Sequence, residues 1–172
     1  MYSSLEIKVG QSGAYSKSMT YDVPFCTKDE YALVIKHVPF TIRPAAKIPV
    51  KQTWKDQDGE DIYLAPDTKY EAYDWECTFV YLSSYSSVEG KSANECISEF
   101  VKRISGKWLK IHDSYTNTTR SGVYVKEFDP EPRFLRRQVY IEQGKELIVE
   151  DRDLVIFKVT FRVNNPEFEE EF

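Results

Sequence analysis

Long hydrophobic runs are missing from this sequence. The apolar stretches are short, such as Leu147 to Val149 and Leu154 to Phe157, whereas a membrane span needs roughly 20 apolar residues. The N-terminal residues MYSSLEIKVG also lack the basic and apolar regions of a secretory signal. We therefore expect no membrane association, and either a cytoplasmic setting or a particle assembled in cytoplasm.

Glycine and proline are scarce as well, with 7 and 8 residues in a chain of 172. Disordered and fibrous chains are much richer in these residues, so both classes are excluded. The length lies in the usual range for one domain with a single hydrophobic core. We expect a globular domain over residues 1–166, followed by a short acidic tail, 167–172, that is frayed.

Residues that hold metals or act as nucleophiles are few. The three cysteines (Cys26, Cys77 and Cys96) and two histidines (His37 and His112) have no metal-ligand spacing. Cys77 and Cys96 fall on the apolar faces of predicted elements, which favours small buried side chains, and Cys26 has no predicted role. Neither glycine-rich nucleotide motif occurs. We therefore expect neither a metal site nor a cofactor.

Positive charge is also in short supply, since the formal net charge is -5. A surface that holds nucleic acid neutralises phosphates with clustered lysine and arginine. We therefore expect no specific binding of nucleic acid.

Aromatic residues, in contrast, are abundant: 12 Tyr and 10 Phe, with 15% aromatic residues overall. Flat and β-branched side chains favour strands. Strict alternation of apolar and polar residues predicts strands with one buried face. These strands are Leu5 to Val9, Tyr73 to Tyr81, Arg133 to Ile141 and Leu154 to Val163, with a further strand at Tyr31 to Ile42 and a hairpin formed by Lys107 to His112 and Ser121 to Phe128.

One helix is predicted, from Ser92 to Ser105. Ser92 and Glu95 have the spacing of a capping box, in which each side chain accepts a hydrogen bond from the other residue's backbone N–H. Apolar residues then recur at three- and four-residue spacing, and Gly106 can end the helix in the left-handed conformation. Because a helix of this length needs a packing partner, we expect it to lie on the sheet. The fold class is therefore α+β, mainly β: an antiparallel β-sandwich or partly closed barrel with one packed amphipathic helix, 92–105.

A long segment, 43–67, separates two of the predicted strands. It contains the acidic run Asp56 to Asp61, and ordered loops of this length are uncommon in compact domains unless they are functional. The run resembles the start of a calcium loop, but the twelfth position holds Asp67 where such loops have a glutamate. A solvated turn between strands is the favoured interpretation.

Two groups of residues were weighed as catalytic candidates. His112, Asp113 and Ser114 are the residue types of a hydrolytic triad, but neighbours in a strand point to opposite faces and do not converge. Asp74 and Glu76 alternate with apolar residues, which favours solvated positions. The sequence therefore predicts a protein that is not an enzyme.

The aromatic residues of one strand and of the segment after the helix raise a different possibility. Tyr73, Trp75, Phe79, Tyr81 and Trp108 could stack on sugars or bases. Their strand spacing beside an amphipathic helix favours core packing instead. A carbohydrate- or peptide-binding β-sandwich module remains the alternative function.

The order of motifs carries a family resemblance over Lys69 to Pro166. A strand ending in CTFVYL precedes the capped helix, then follow the hairpin GKWLKIHDSYTNTTRSGVYVKEF and a closing strand LVIFKVTFRVNNP. This arrangement resembles the tail structural proteins of bacteriophages and prophages, in particular tail-tube and distal-tail subunits. The resemblance implies a virion structural protein of the phage tail, made in the host bacterial cytoplasm.

The resemblance also implies how such a protein acts. Subunits join into a ring, often a hexamer, and the partners are further copies of the chain and other tail proteins, while DNA passes through the ring. The segment 43–67 would reach a neighbouring subunit. Trp54, Ile62 and Tyr63 would be its apolar anchors, since aromatic residues dominate interface energetics. Packing of these three residues onto their own domain is the alternative.

Overall fold

The computed structural model describes residues 3–40, 44–53, 55, 58, 61–64, 69–82, 90–135, 140–142, 145–147 and 154–172. Within them the chain forms a mainly β fold with two helices. The helices are α1 (Thr27–Tyr31) and α2 (Ala93–Ile104). The strands are β1 (Leu5–Val9), β2 (Phe25–Cys26), β3 (Leu33–His37), β4 (Val50–Gln52), β5 (Asp61–Tyr63), β6 (Tyr73–Leu82), β7 (Leu109–Asp113), β8 (Thr118–Phe128), β9 (Arg133–Leu135), β10 (Tyr140–Glu142), β11 (Lys145–Leu147), β12 (Leu154–Val163) and β13 (Phe168–Glu169).

Nine of the described strands form one curled antiparallel sheet. Its main order is β2-β1-β7-β8-β12-β6-β3, with β9 added to β12 and β13 added to β8. An antiparallel bridge between Ser3 and Ile35 joins the start of β1 to β3, the strand at the other end of that order. The backbone N–H of Ile35 donates to the carbonyl of Ser3 at 3.0 Å. The sheet is thus a partly closed barrel, which decides between the two architectures that the sequence left open.

The longest ladder joins the two strands with the clearest alternation. β6 and β12 pair in continuous register from Leu82 opposite Leu154 to Tyr73 opposite Val163. The inward residues of β12, predicted from the sequence, are all buried: Val155, Phe157, Val159, Phe161 and Val163. The prediction of this strand is confirmed at both ends, because its period-two pattern has no interruption.

The predicted helix is confirmed as α2, with Ser92 as its N-cap and both hydrogen bonds of the capping box present. Gly106 has a φ of 69°, the left-handed conformation expected after the helix. The apolar stripe of α2 packs on the buried face of the sheet, where the ring of Phe100 lies 5.4 Å from that of Phe79. The helix therefore covers the core of the barrel, as its sequence pattern predicted.

A second helix was not predicted. Tyr31, assigned to a strand from its sequence, ends the short helix α1, and the strand that follows it runs only from Leu33 to His37. Tyr31 is buried and its ring contacts Phe100 of α2. Ala32 turns the chain out of the helix with a φ of 55°. The aromatic side chain that favoured a strand is thus used in helix-to-helix packing.

The hairpin after α2 is confirmed, and its second strand is longer than predicted. β7 and β8 pair from Leu109 opposite Val123 to Asp113 opposite Thr118. Asn117 occupies the turn with a φ of 51°, in the left-handed region that asparagine tolerates. The turn is therefore tight, and pairing begins at Thr118 instead of Ser121.

The predicted strand Arg133 to Ile141 is divided between two sheets. β9 pairs with β12, whereas β10 pairs with β11 in a separate two-stranded sheet. Residues 136–139 lie outside the described part of the chain. The strand β11 was not predicted, because its three residues show too little alternation.

The C-terminal tail is not frayed, contrary to the sequence-based expectation. β13 pairs with β8 through Phe168 opposite Arg120 and Glu169 opposite Thr119. The side chain of Glu169 forms an ion pair with Lys110 at 2.7 Å. Phe172 packs against His112, with ring centroids 5.3 Å apart. The acidic tail therefore continues the sheet where β12 ends.

Candidate assembly surface

The segment 43–67 contains a β-hairpin made by β4 and β5. Val50 lies opposite Tyr63, Lys51 opposite Ile62, and Gln52 opposite Asp61. These strands form a two-stranded sheet of their own, separate from the barrel. A two-stranded hairpin is at best marginally stable by itself in water, so this one calls for a further packing partner.

Large apolar side chains on the hairpin are exposed to solvent. Among the described residues ten large hydrophobic side chains are exposed, and five of them lie between positions 48 and 64: Ile48 (81% exposed), Val50 (76%), Ile62 (52%), Tyr63 (69%) and Leu64 (73%). Directly opposite residues share a face, so Val50 and Tyr63 lie on one side of the hairpin and Ile62 lies on the other. Both faces therefore present apolar surface, a feature typical of interaction sites.

Two of the three predicted anchors lie on this hairpin. Ile62 and Tyr63 both belong to β5 and both remain exposed, so packing onto their own domain does not bury them. Trp54 lies outside the described residues. Val50, Ile48 and Leu64 were not among the predicted anchors. These apolar residues lie in a polar segment close to Ile62 and Tyr63, and that pattern could have indicated them.

The base of the hairpin is joined to the barrel by a short ladder. Ala46 bridges Tyr70, and the backbone N–H of Lys47 donates to the carbonyl of Lys69 at 2.7 Å. The N–H of Glu71 donates to the carbonyl of Ala45 at 2.8 Å. The chain continues from this short ladder into β6, which begins at Tyr73. The hairpin is therefore joined through β6 to the longest ladder of the barrel, between β6 and β12.

The residues of the proposed triad do not form a catalytic arrangement. Asp113 is buried, and its carboxylate accepts from the backbone of Tyr115 at 3.0 Å and from the hydroxyl of Thr116 at 2.8 Å. His112 bonds through Nδ1 to a threonine hydroxyl, while the hydroxyl of Ser114 donates to a backbone carbonyl. The prediction that these side chains do not converge is confirmed. Asp113 and His112 form hydrogen bonds within the hairpin, and Ser114 joins the hairpin to the carbonyl of Ser4.

The two strand carboxylates are exposed and paired with basic residues. Asp74 accepts from Lys126 at 2.5 Å and from Arg162 at 2.8 Å. Hydrogen bonds from these two residues hold the pKa of Asp74 below 3.8, its usual value. Glu76 forms an ion pair with Lys158 at 2.9 Å. Both carboxylates therefore occupy solvated positions, as predicted.

The aromatic residues weighed as a stacking platform mostly belong to the core. Trp75, Phe79 and Tyr81 are at most 2% exposed. The half-buried Tyr73 accepts a hydrogen bond from Arg120 at 3.1 Å. The preference for core packing is confirmed for this strand, so it offers no face on which a ligand ring could stack.

Trp108 lies apart from that core. Its ring packs between Tyr15 and Tyr124, with centroids 5.3 Å away on each side, and its indole N–H donates to the carbonyl of Gly13. Trp108, Tyr124 and Gly13 line an open cleft of about 350 Å³. This cleft is an aromatic surface that is open to a small ligand.

Cysteines and acidic groups add no site in the described part of the chain. Cys77 and Cys96 are buried as predicted, and burial raises the pKa of the Cys77 thiol well above its usual value. Among the described residues, no group of three or more His, Cys, Asp or Glu side chains is arranged to hold a metal ion. Asp56 and Glu60 of the acidic run lie outside those residues.

None of the described helices has both the length and the apolar character that a transmembrane helix requires.

A buried arginine, which the sequence did not indicate, lies in the core. Arg120 is 1% exposed, and its guanidinium lies over the ring of Trp75 at 4.3 Å and that of Phe168 at 5.0 Å. Its Nη1 donates to the hydroxyl of Thr118 at 3.0 Å, whereas Nη2 is buried without a hydrogen-bond partner. Arginine is almost never fully buried unless paired, so no sequence signal pointed to this arrangement.

Comparison with known proteins adds no assignment: neither a family model nor a curated protein matches the chain.

Proposed function

We propose that the chain is a structural subunit of a bacteriophage or prophage tail, either of the tube or of a distal-tail ring. It acts through assembly with copies of itself and has no catalytic role. The order of motifs in the sequence supports this proposal. The packing of α2 on a mainly β fold supports it as well, since the resemblance implies a helix that packs on a β-sandwich.

The exposed hairpin is the observation that carries the proposal. Val50 and Tyr63 on one face, and Ile62 on the other, expose apolar area that the barrel does not cover. Burial of apolar surface is worth about 25 cal/mol per Å², so covering these side chains favours association. In a ring each subunit has two neighbours, and a projecting hairpin with two apolar faces is suited to contact with them.

The remaining parts of the proposal follow from this role. The partners are copies of the chain in a ring, possibly of six, and other tail proteins of the virion. DNA passes through the ring without specific recognition, and the net charge of -5 disfavours retention of phosphate. The place of action is the virion tail, after assembly in the host bacterial cytoplasm, with no membrane involved.

A paired substitution on the hairpin tests this function. We expect Val50→Ser with Tyr63→Ser to abolish ring formation, because the change removes one apolar face while the barrel core stays intact. The measurements are mass by multi-angle light scattering and particle shape by negative-stain microscopy. Circular dichroism verifies that the variant is folded.

A matched control makes this test specific. Val23 is 81% exposed and Tyr115 is 85% exposed, and both lie outside the hairpin. Val23→Ser with Tyr115→Ser removes the same side chains from another surface and should leave the rings unchanged. Rings that persist in the hairpin variant, or are lost in both variants, would overturn the assignment of the hairpin as the assembly element.

The aromatic cleft at Trp108 is the observation that favours a second function, a carbohydrate- or peptide-binding module. Trp108 and Tyr124 there could stack on a sugar ring. A glycan array and a peptide array test it, with Trp108→Ala as the negative control. Absence of binding to both arrays would remove this alternative.

A further inference from the structure

The C-terminal segment, 167–172, lies on a basic surface of an otherwise acidic protein. Three basic residues from three neighbouring strands contact it: Lys8 of β1, Lys110 of β7 and Arg120 of β8. We call these three residues the basic surface. Four of the six residues in the segment are glutamate and the other two are phenylalanine. The charge of the segment is therefore complementary to the surface that it covers.

The two aromatic rings of the segment also lie against this surface. The guanidinium of Arg120 lies over the ring of Phe168 at 5.0 Å, and its Nη2 is buried without a hydrogen-bond partner among the described residues. The ammonium group of Lys8 lies over the ring of Phe172 at 4.6 Å. An acidic strand that carries aromatic side chains is therefore the chemistry that the basic surface accepts.

The attachment of the segment to its own barrel is small. Its strand β13 has two residues, and Phe168 at the start of that strand remains 37% exposed. Glu170 and Glu171 are exposed as well. Ion pairs and cation–π contacts near the surface each contribute at most about 1 kcal/mol. A segment with so few buried contacts opens at a low cost in free energy.

The chain between β12 and β13 has slack. Pairing with β8 ends at Val163 and resumes at Phe168, and the partners of these two residues are Val123 and Arg120. The four residues 164–167 therefore lie opposite two residues of β8. When extended, four residues span about 13 Å. That reach is sufficient for a copy in direct contact, so the segment can leave its own β8 for that of a neighbour.

We propose that, in the assembled protein, the segment 167–172 of one copy docks on the basic surface of the next copy, in place of that copy's own segment. The inference rests on the proposed function, which supplies the neighbour, and it adds the partner segment. Every copy has the same segment and the same surface, so the exchange replaces each contact by an identical one. A neighbour held by the hairpin raises the local concentration of its segment to about millimolar.

Charge reversal across the ion pair of Lys110 with Glu169 tests the exchange. Lys110→Glu and Glu169→Lys each place like charges at this contact, whether the segment docks on its own barrel or on a neighbour. We expect each variant alone to need about tenfold more protein for assembly than the wild type at low salt.

Mixing the two variants is the decisive step. In an equimolar mixture the segment of each variant is complementary only to the basic surface of the other variant. We therefore expect the mixture to assemble at the wild-type concentration, into particles that contain the two variants in equal numbers. Native mass spectrometry measures this composition when one variant carries ¹⁵N, and circular dichroism verifies that each variant is folded.

Glu76 and Lys158 provide the matched control. They form an ion pair at 2.9 Å between β6 and β12 of one barrel. Glu76→Lys and Lys158→Glu change the net charge by the same amounts as the two test variants. Each should assemble like the wild type, and their mixture should give particles of random composition.

A second variant leaves the barrel unchanged. Phe168→Ser with Phe172→Ser removes both rings of the segment and should also raise the concentration needed for assembly by about tenfold. The exchange is overturned if this variant assembles at the wild-type concentration, or if mixing the charge-reversed variants restores nothing, as expected of a segment that docks only on its own barrel. A wild type that never assembles contradicts the proposed function itself, whereas rings that form without rescue by mixing contradict the exchange alone.

Discussion

At the scale of single residues, Arg120 is the most unusual group in the core. Its charge is buried over two aromatic rings, and among the described residues no carboxylate forms an ion pair with it. Removing a charge from water is costly, and cation–π contacts of about 2 kcal/mol each offset that cost only in part. The side chain therefore contributes to stability mainly by filling space.

Two substitutions at Arg120 separate volume from charge. We expect Arg120→Ala to lower the free energy of unfolding by about 2 to 4 kcal/mol, because it leaves a cavity. Arg120→Met fills most of that space without charge and should cost less than about 1 kcal/mol or raise stability. Urea denaturation measures both. An equal loss in the two variants would show that the charge itself is required.

The N-cap of α2 gives a second prediction for a single residue. Ser92→Ala removes the hydroxyl that accepts from the backbone of Glu95 at 3.3 Å. We expect a loss of about 1 kcal/mol in the free energy of unfolding. Ser12→Ala, at an exposed serine that does not belong to the helix, is the control and should have no measurable effect. A loss of equal size at Ser12 would contradict the capping argument.

At the scale of elements, the C-terminal segment ties three strands together. Phe168 lies opposite Arg120 of β8, and Glu169 forms an ion pair with Lys110 of β7. The ammonium group of Lys8, in β1, lies over the ring of Phe172 at 4.6 Å. Burial disfavours the charged form of Glu169, but hydrogen bonds from Lys110 and Ser121 outweigh it and lower the pKa below 4.5. The segment is therefore held partly by an ionised carboxylate.

This carboxylate predicts a pH dependence of stability. A folded-state pKa below the unfolded value stabilises the protein above pH 4.5, and the contribution is lost as the pH falls through the folded-state pKa. Glu169→Gln should therefore cost about 0.2 to 1 kcal/mol at pH 7, and the difference from wild type should disappear below that pKa.

The control for this experiment lies in the same segment. Glu170 is exposed and forms no ion pair among the described residues. Glu170→Gln should therefore leave the stability unchanged both at pH 7 and below the folded-state pKa of Glu169. Thermal unfolding followed across this pH range gives the comparison. A Glu169→Gln difference that is independent of pH would show that the loss is one of packing.

Elements with an uninterrupted pattern were predictable from the sequence. Strand β12 alternates over ten residues and α2 has both a capping box and an apolar stripe, so local and tertiary preferences agree. The elements that were not predicted are short. In α1 the packing of Tyr31 against Phe100 overrides the strand preference of an aromatic residue, and β13 forms because an unpaired part of β8 accepts it.

The candidate site was predictable only in part. Ile62 and Tyr63 stood out as apolar residues in a polar segment, and the structure leaves both exposed on a hairpin. The pairing of β4 with β5 could not be read from three-residue strands. Lys47 and Lys69 are far apart in sequence, so their pairing depends on the short ladder at Ala46 and Tyr70.

At the scale of the whole molecule, the barrel and the hairpin differ in how far their apolar residues are covered. Helix α2 packs on the buried face of the partly closed barrel. The hairpin exposes apolar residues on both of its faces. A repeated contact between copies of the chain would cover them.

The most direct measurement is the mass and shape of the wild-type protein as its concentration rises. We expect light scattering to show a transition from the 20.1 kDa monomer to a closed oligomer, and negative-stain class averages to show rings with a central channel. A protein that remains a monomer at every concentration, with no rings on the grid, would contradict the assembly function proposed for this chain.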